Sequence, residues 1–403
     1  MATSEDQRSG TGLLVLAGLA LAVVCLFHPS SVFLTPSRMD AYFGGATYGR
    51  WEWPAGSWSW QDEPFRYRLL FHGAVDLVAE AMAHVLPRDL RTYWLAYLAV
   101  TTATVVAAVW SADRFLEAAG IKRSARWLLL GLWVLTPPVH NAFVLPTQTK
   151  EDFLAYAILF LGLRAVLMGR SVEVLIWTAV GALTRETLMI LPGIFLLAGQ
   201  ASLGWKAAAL AIGLGIHAAL RLGLGASGYE VVRAENFDTP WIVPVALASV
   251  LGFAWVALLP RLANACVRQG EWLRGCAPKD PVERLMLALP AVLVVLLTTH
   301  IFMARVVEMR ISFLTAPFAL MALAPLASRM AALALSRSGL AAGLAFAMAA
   351  GALEISGVGP AMRAAVFPEI GPFATRVWWA EAHLQLALAA LTLVAMLSRS
   401  PRP

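Results

Sequence analysis

The chain has 403 residues, of which 59% are hydrophobic and only 14% charged, and its mean hydropathy is +0.70. Soluble domains carry about 25% charged residues, so an ordinary water-soluble globule is excluded and an integral membrane protein is expected. The net charge of +6 comes without a basic run long enough to track a phosphate backbone, and it suits the positive-inside rule and anionic lipid better than nucleic acid.

Residues 11–28 form the first apolar stretch able to cross a bilayer. No A-x-A-like cleavage site follows it, so it reads as a retained helix. Next comes a long polar and aromatic segment, 29–91, expected as a first outer loop. It carries Asp40, Asp62, Glu63, Arg66 and Arg68, with Trp51, Trp53, Trp58 and Trp60 suited to headgroup depth. Within it, 67–86 is apolar at a helical period but holds Asp76 and Glu80. That pattern predicts an amphipathic helix on the outer face, ended by Pro87.

Further apolar runs fall near 92–112, 127–139, 153–168, 172–184, 187–199, 206–223, 241–259, 285–303, 311–327, 338–353 and 381–397. Spans of this length, with Gly and Pro inside them, argue for helices and against a barrel. The expected fold class is all-α: a polytopic transmembrane helical bundle of about twelve spans, one domain over 1–403. The motif TRET interrupts 172–199, and a re-entrant hairpin is the alternative there.

Lys and Arg set the orientation. With the N-terminus in the cytoplasm, the inner segments hold Lys122, Arg123 and Arg126, then Arg170 and Lys206, then the basic loop 260–284, then Arg329, Arg337, Arg399 and Arg402. Both termini are then cytoplasmic, in a bacterial inner membrane. Asp113 and Glu117 read as solvated on that inner side. Cys25, Cys266 and Cys276 are too few and too scattered for a disulfide framework or a metal site. The histidines lack any H-x-x-x-H or H-E-x-x-H spacing, so zinc is not expected. No cofactor is assigned, and a divalent cation is left open because no clean ligand set is visible.

This threading gathers five charged clusters at outer span ends: Asp40, the segment 62–68, Lys150 with Glu151 and Asp152, Arg185 with Glu186, and Arg305 with Glu308 and Arg310. Ionisable groups at such depths are expensive and usually face a cavity or one another. His300 falls near the same end and is a further candidate to line the cavity.

The segments RMDAYFGGATYGR with PFRYRLLFHG, PTQTKEDFLAYAILFLGLRAVLMGR, VGALTRE and EMRISFLTAPFAL together resemble the GT-C superfamily of integral-membrane glycosyltransferases. The likeness covers roughly residues 30–200 and 300–325. It departs from the family pattern in reading Asp-Ala-Tyr-Phe-Gly at 40–44 and in carrying its Asp-Glu pair at 62–63. The resemblance implies an enzyme that moves a sugar from a polyprenyl-phosphate donor to a glycan, lipid or protein acceptor on the outer face, in cell-envelope polysaccharide synthesis.

Such a reaction needs a carboxylate to take the acceptor proton and cations to hold the leaving phosphate. Asp40 is the first choice as base, with Asp62 and Glu63 as competitors. Arg66, Arg68, Lys150, Arg185 and Arg310 are expected on the lipid phosphate, and Arg305 is expected in the same substrate-binding set, on phosphate or sugar. Glu151, Asp152, Glu186 and Glu308 are expected to orient those cations or bind sugar hydroxyls. Inversion in a single displacement follows, without a protein nucleophile. A lipid-linked sugar transporter or flippase, a polysaccharide polymerase, and a catalytically inactive relative are the competing readings.

Overall fold

The computed structural model describes residues 69–88, 90–136, 139, 151–224, 252–273, 278–303, 314–358, 360–361 and 372–398. Among them every regular element is helical. Helix α1 (Leu69–Met82) lies on α2 (Leu90–Ala118), burying Phe71, Val75 and Ala79 against Tyr93, Ala96, Tyr97 and Val100. The outward face of α1 keeps Leu77 and Glu80 exposed, as the helical period of 67–86 predicts.

Helix α2 closes on Gly120, whose φ of 75° is open to glycine at little cost. The Gly120 N–H donates to the Glu117 carbonyl and the Ile121 N–H to the Leu116 carbonyl, a Schellman end that turns the chain into α3 (Arg123–Val134). Helix α4 (Glu151–Leu167) ends the same way at Gly169, φ 69°, and α5 (Ser171–Thr184) runs back along it. Leu154 packs on the α1–α2 cluster while Phe160 meets Phe115, so α4 runs in the same direction as α2. The starts of α2 and α4, the end of α5 and the whole of α1 therefore share one end of the bundle. The end of α2, the start of α3 and the α4–α5 turn share the other.

A 3₁₀ turn (Glu186–Met189) leads to α6 (Ile190–Ala198), and α7 (Leu203–Leu224) follows. Beyond these come α8 (Ala254–Leu273), α9 (Pro281–Leu287) and α10 (Leu289–Met303). Then follow α11 (Ala316–Leu323), α12 (Ala327–Ala334), α13 (Arg337–Ile355) and α14 (Pro372–Leu397). All eight residues of α11 are buried. Pro325 stands in the break that bends α12 by 69° from α11. Gln385 stitches α14 to its neighbours: its amide oxygen accepts from the Phe253 N–H at 3.2 Å and its amide nitrogen donates to the Leu135 carbonyl at 2.8 Å.

By length and composition two described helices can cross a bilayer, over Leu95–Ala118 in α2 and Leu203–Gly223 in α7, and the bent pair α11–α12 counts as a third if it is one span. Helix α3 is shorter than the expected span at 127–139; twelve residues rise about 18 Å, against the roughly 30 Å of a hydrocarbon core.

Two expectations need correction. The stretch 260–284 is mostly helix, not loop. Ala257, Leu258 and Ala265 recur at helical spacing and bury, which carries α8 through Pro260. Asp280 then caps α9, its carboxylate accepting from the Val282 N–H at 3.1 Å with Pro281 in the first turn. The Arg268–Glu283 ion pair ties the two helices together. Asp113 is not a freely solvated carboxylate: Arg126 donates to it through Nε at 2.8 Å, with 13% and 17% of the two side chains exposed. Glu117 joins that pair from the surface and also meets Arg114 at 2.9 Å.

Candidate functional site

The start of α4 and the end of α5 hold the charged residues that the structure brings together. Asp152 is the second residue of α4, and Arg185 follows the last residue of α5. Because the two helices form an antiparallel hairpin, residues 33 positions apart in sequence meet at one end. They form an ion pair whose residues are 1% and 2% exposed, and Arg185 is among the largest wholly buried side chains in the protein. A buried charge is tolerated when it is paired and hydrogen-bonded. Asp152 supplies the ionic pairing for Arg185.

The backbone explains why Arg185 turns inward. Its φ of −162° and ψ of 136° are extended, so α5 stops there. The Arg185 N–H still donates to the Gly181 carbonyl at 2.9 Å, and the Leu188 N–H donates back to the Arg185 carbonyl at 3.1 Å. Thr184 turns its hydroxyl onto the Val180 carbonyl at 2.8 Å. A side chain at Gly181 would stand 3.2 Å from Leu188 Cβ, so glycine lets the 3₁₀ turn fold against α5. The break expected from TRET is present as a hinge between two apolar helices. Glu186 is half-buried beside it.

A chain of aromatic rings begins one turn along α4 from Asp152. Tyr156, one turn after Asp152 on α4, meets Trp133 of α3 edge-on at 5.1 Å between centroids. Trp133 also meets Phe160 at 5.6 Å, and Phe160 meets Phe115 of α2 at 5.5 Å. All four are buried. The sequence reading missed Tyr156 and Trp133. The one available signal was the spacing Asp152, Tyr156, Phe160, a single stripe along α4.

A second polar group sits at the same end. The Tyr93 hydroxyl at the start of α2 donates to Asp76 on α1, and His72, one turn earlier, is buried next to it. Burial pushes the Asp76 carboxyl up to about 6, against the opposing pull of the Tyr93 hydrogen bond and of His72, while Glu80 adds a smaller push upward. Asp76 had been read only as a polar mark on an amphipathic helix.

Of the other expected site residues, Asp40, Asp62, Glu63, Arg66, Arg68, Lys150, Arg305, Glu308 and Arg310 lie outside the described residues. Glu151 and His300 are placed by their backbone alone, as the first residue of α4 and near the end of α10. From the five charged clusters the side chains of Asp152, Arg185 and Glu186 are described, and Asp152 meets Arg185. Among the described residues no group of three or more His, Cys, Asp or Glu side chains converges in a metal-binding arrangement. No family model, no curated protein and no solved structure matches this chain.

Proposed function

We propose that this chain is a membrane glycosyltransferase of GT-C type that transfers a sugar from a polyprenyl-phosphate donor to an acceptor at the extracytoplasmic face of a bacterial inner membrane. The single observation that supports the reading is the buried Asp152–Arg185 pair, which joins two charged clusters from separate segments at one end of the helices. A guanidinium held by a carboxylate is oriented before any ligand arrives, and its planar fork suits a phosphate better than a lysine would. In this reading Asp152 is a positioning residue for Arg185, and Glu186 at the hinge lies toward the sugar.

The chemistry is one displacement. The acceptor oxygen attacks the anomeric carbon as its proton passes to a carboxylate, Asp40 first among the candidates. The bond from the anomeric carbon to the phosphate oxygen breaks, and polyprenyl phosphate leaves with its growing charge held by Arg185 and the other cations of the outer clusters. The remaining nine or ten spans of a twelve-span bundle, and the cytoplasmic placement of both termini, belong to the same proposal.

The test is transfer from a lipid-linked sugar by the purified chain. General-base contributions are about 10²–10⁴-fold, so Asp40→Asn is expected to lose at least about two orders of magnitude in turnover while donor binding persists. Arg185→Lys is expected to weaken donor binding and transfer together, because charge is kept but the two-pronged contact is lost. If Asp40→Asn, Asp62→Asn and Glu63→Gln all remain active with an authentic donor and acceptor, the mechanism is wrong. Movement of the lipid-linked sugar across vesicles without transfer would put a flippase in its place.

A further inference from the structure

At the other end of the bundle the structure holds an apolar cavity of about 520 Å³ that the proposed transfer does not use. It lies between α3, α12 and α14, walled by Trp127, Gly131 and Leu135 on one side and by Met330, Ala334 and Leu388 on the others. Its size falls within the roughly 300–1,000 Å³ of small-molecule sites. Leu128 and Leu335 also line it and are 37% and 77% exposed, so it opens on the side of the bundle. At Gly131 an added Cβ would meet nothing within 4 Å, so the absence of a side chain there keeps the cavity open.

Charge stands beside this opening. Arg123 begins α3 one turn before Trp127, with Lys122 as the preceding residue, and both are exposed. The nearby acids are already matched: Asp113 holds Arg126, and Glu117 holds Arg114. Lys122 and Arg123 are therefore surplus cations among the described residues. The first turn of α3 has no side-chain cap, so its N–H groups add partial positive charge at the same place. Arg329, adjacent to the wall residue Met330, adds a cation on α12, where it donates to the Ser398 carbonyl at 3.1 Å.

We propose that this cavity seats one acyl chain of an anionic glycerophospholipid, with the phosphate of the headgroup on Lys122 and Arg123. The wall contributes packing alone, because lipid chains are as apolar as the side chains that meet them. Selection for this lipid over others comes from the headgroup, since cations near a membrane surface favour anionic lipid. The site is a lipid-recognition site on the basic end of the bundle, separate from the Asp152–Arg185 pair.

The full chain is reconstituted in nanodiscs of phosphatidylcholine and phosphatidylglycerol in equal parts, extracted, and the retained lipid counted by native mass spectrometry. The wild type is expected to keep phosphatidylglycerol in preference to phosphatidylcholine. Gly131→Phe, whose ring enters the open space, is expected to lose most of that lipid. Ala334→Leu narrows the cavity from α12 and gives the same reading should Gly131→Phe fold poorly. Lys122→Gln with Arg123→Gln is expected to keep a lipid but lose its preference, by about fivefold for each cation. Equal retention of both lipids by the wild type overturns the proposal, as does undiminished phosphatidylglycerol in both cavity variants. Retention of added polyprenyl phosphate with exclusion of phosphatidylglycerol overturns it too, and would show that the occupant is the donor lipid.

Discussion

Two arginine–aspartate pairs join helices at opposite ends of the bundle, and they differ in how far water reaches them. Asp152 and Arg185 are 1% and 2% exposed. Asp113 and Arg126 keep 13–17% of their side chains exposed and share the arginine with Glu117, itself at the surface. The chemistry is the same and the dielectric is not. In the first pair each charge depends on the other for its tolerance, whereas in the second water and a third charge stand ready to replace a lost partner. A pair that costs so much to bury without obvious packing benefit marks the end of the protein where specific chemistry is expected, and the wetter pair marks a joint.

The comparison breaks most sharply at Asp152. Asp152→Asn strands the Arg185 guanidinium in the interior, and removal of one partner of a buried pair costs about 3–5 kcal/mol. Thermal unfolding in detergent should show that loss. Asp152→Leu combined with Arg185→Met should recover most of the stability without recovering transfer. A double variant no more stable than either single one would mean that the pair is not the unit responsible.

At the other end, Arg126→Gln should cost less, about 1.5–3 kcal/mol for a charge-assisted hydrogen bond at a partly exposed site. Added salt should shrink that difference and leave the Asp152→Asn deficit nearly unchanged, because only the wetter pair is screened. Equal salt sensitivity at the two sites would erase the distinction drawn above.

The smallest effect belongs to Asp76, at the same end of the bundle but on the surface helix α1. Its folded carboxyl is raised from 3.8 to about 6, so the folded protein holds that proton more tightly than the unfolded chain does. The stability this contributes is present below pH 3.8 and is lost as pH rises through about 6. Asp76→Asn, which cannot ionise, should therefore gain stability relative to the wild type as pH rises across that window and hold the gain above it. Parallel melting curves from pH 4 to 7 for the two proteins would contradict the raised value.

Much of the helical plan was legible before any coordinates. Hydropathy located α1, α4, α5, α6 and α7 to within a few residues and α2 except for its last six, and TRET marked the break at Arg185. Apolar periodicity and a cluster of polar residues are local signals, so local sequence suffices. The helical course of 260–273 was not legible, because its Arg, Asn and Gln suggest a solvated loop. Only the neighbours that bury Ala257, Leu258 and Ala265 make a helix the better solution. Gln385 was equally silent: a single amide in an apolar helix acquires meaning from Phe253 and Leu135, 132 and 250 residues away.

What the sequence determined by itself is the solvent of this protein and the inventory of charges it can afford there. An apolar composition with few ionisable groups demands helices whose backbones satisfy themselves, and each charge near a span end then needs a partner. Which charge partners which was decided by tertiary structure alone. Asp152 could have paired with Lys150, with Arg185 or with neither; the α4–α5 hairpin, closed by Gly169, brings it to Arg185 because antiparallel packing returns the end of one helix to the start of the other. Asp113, no different in type, meets Arg126 through the turn at Gly120 and keeps 17% of its side chain exposed.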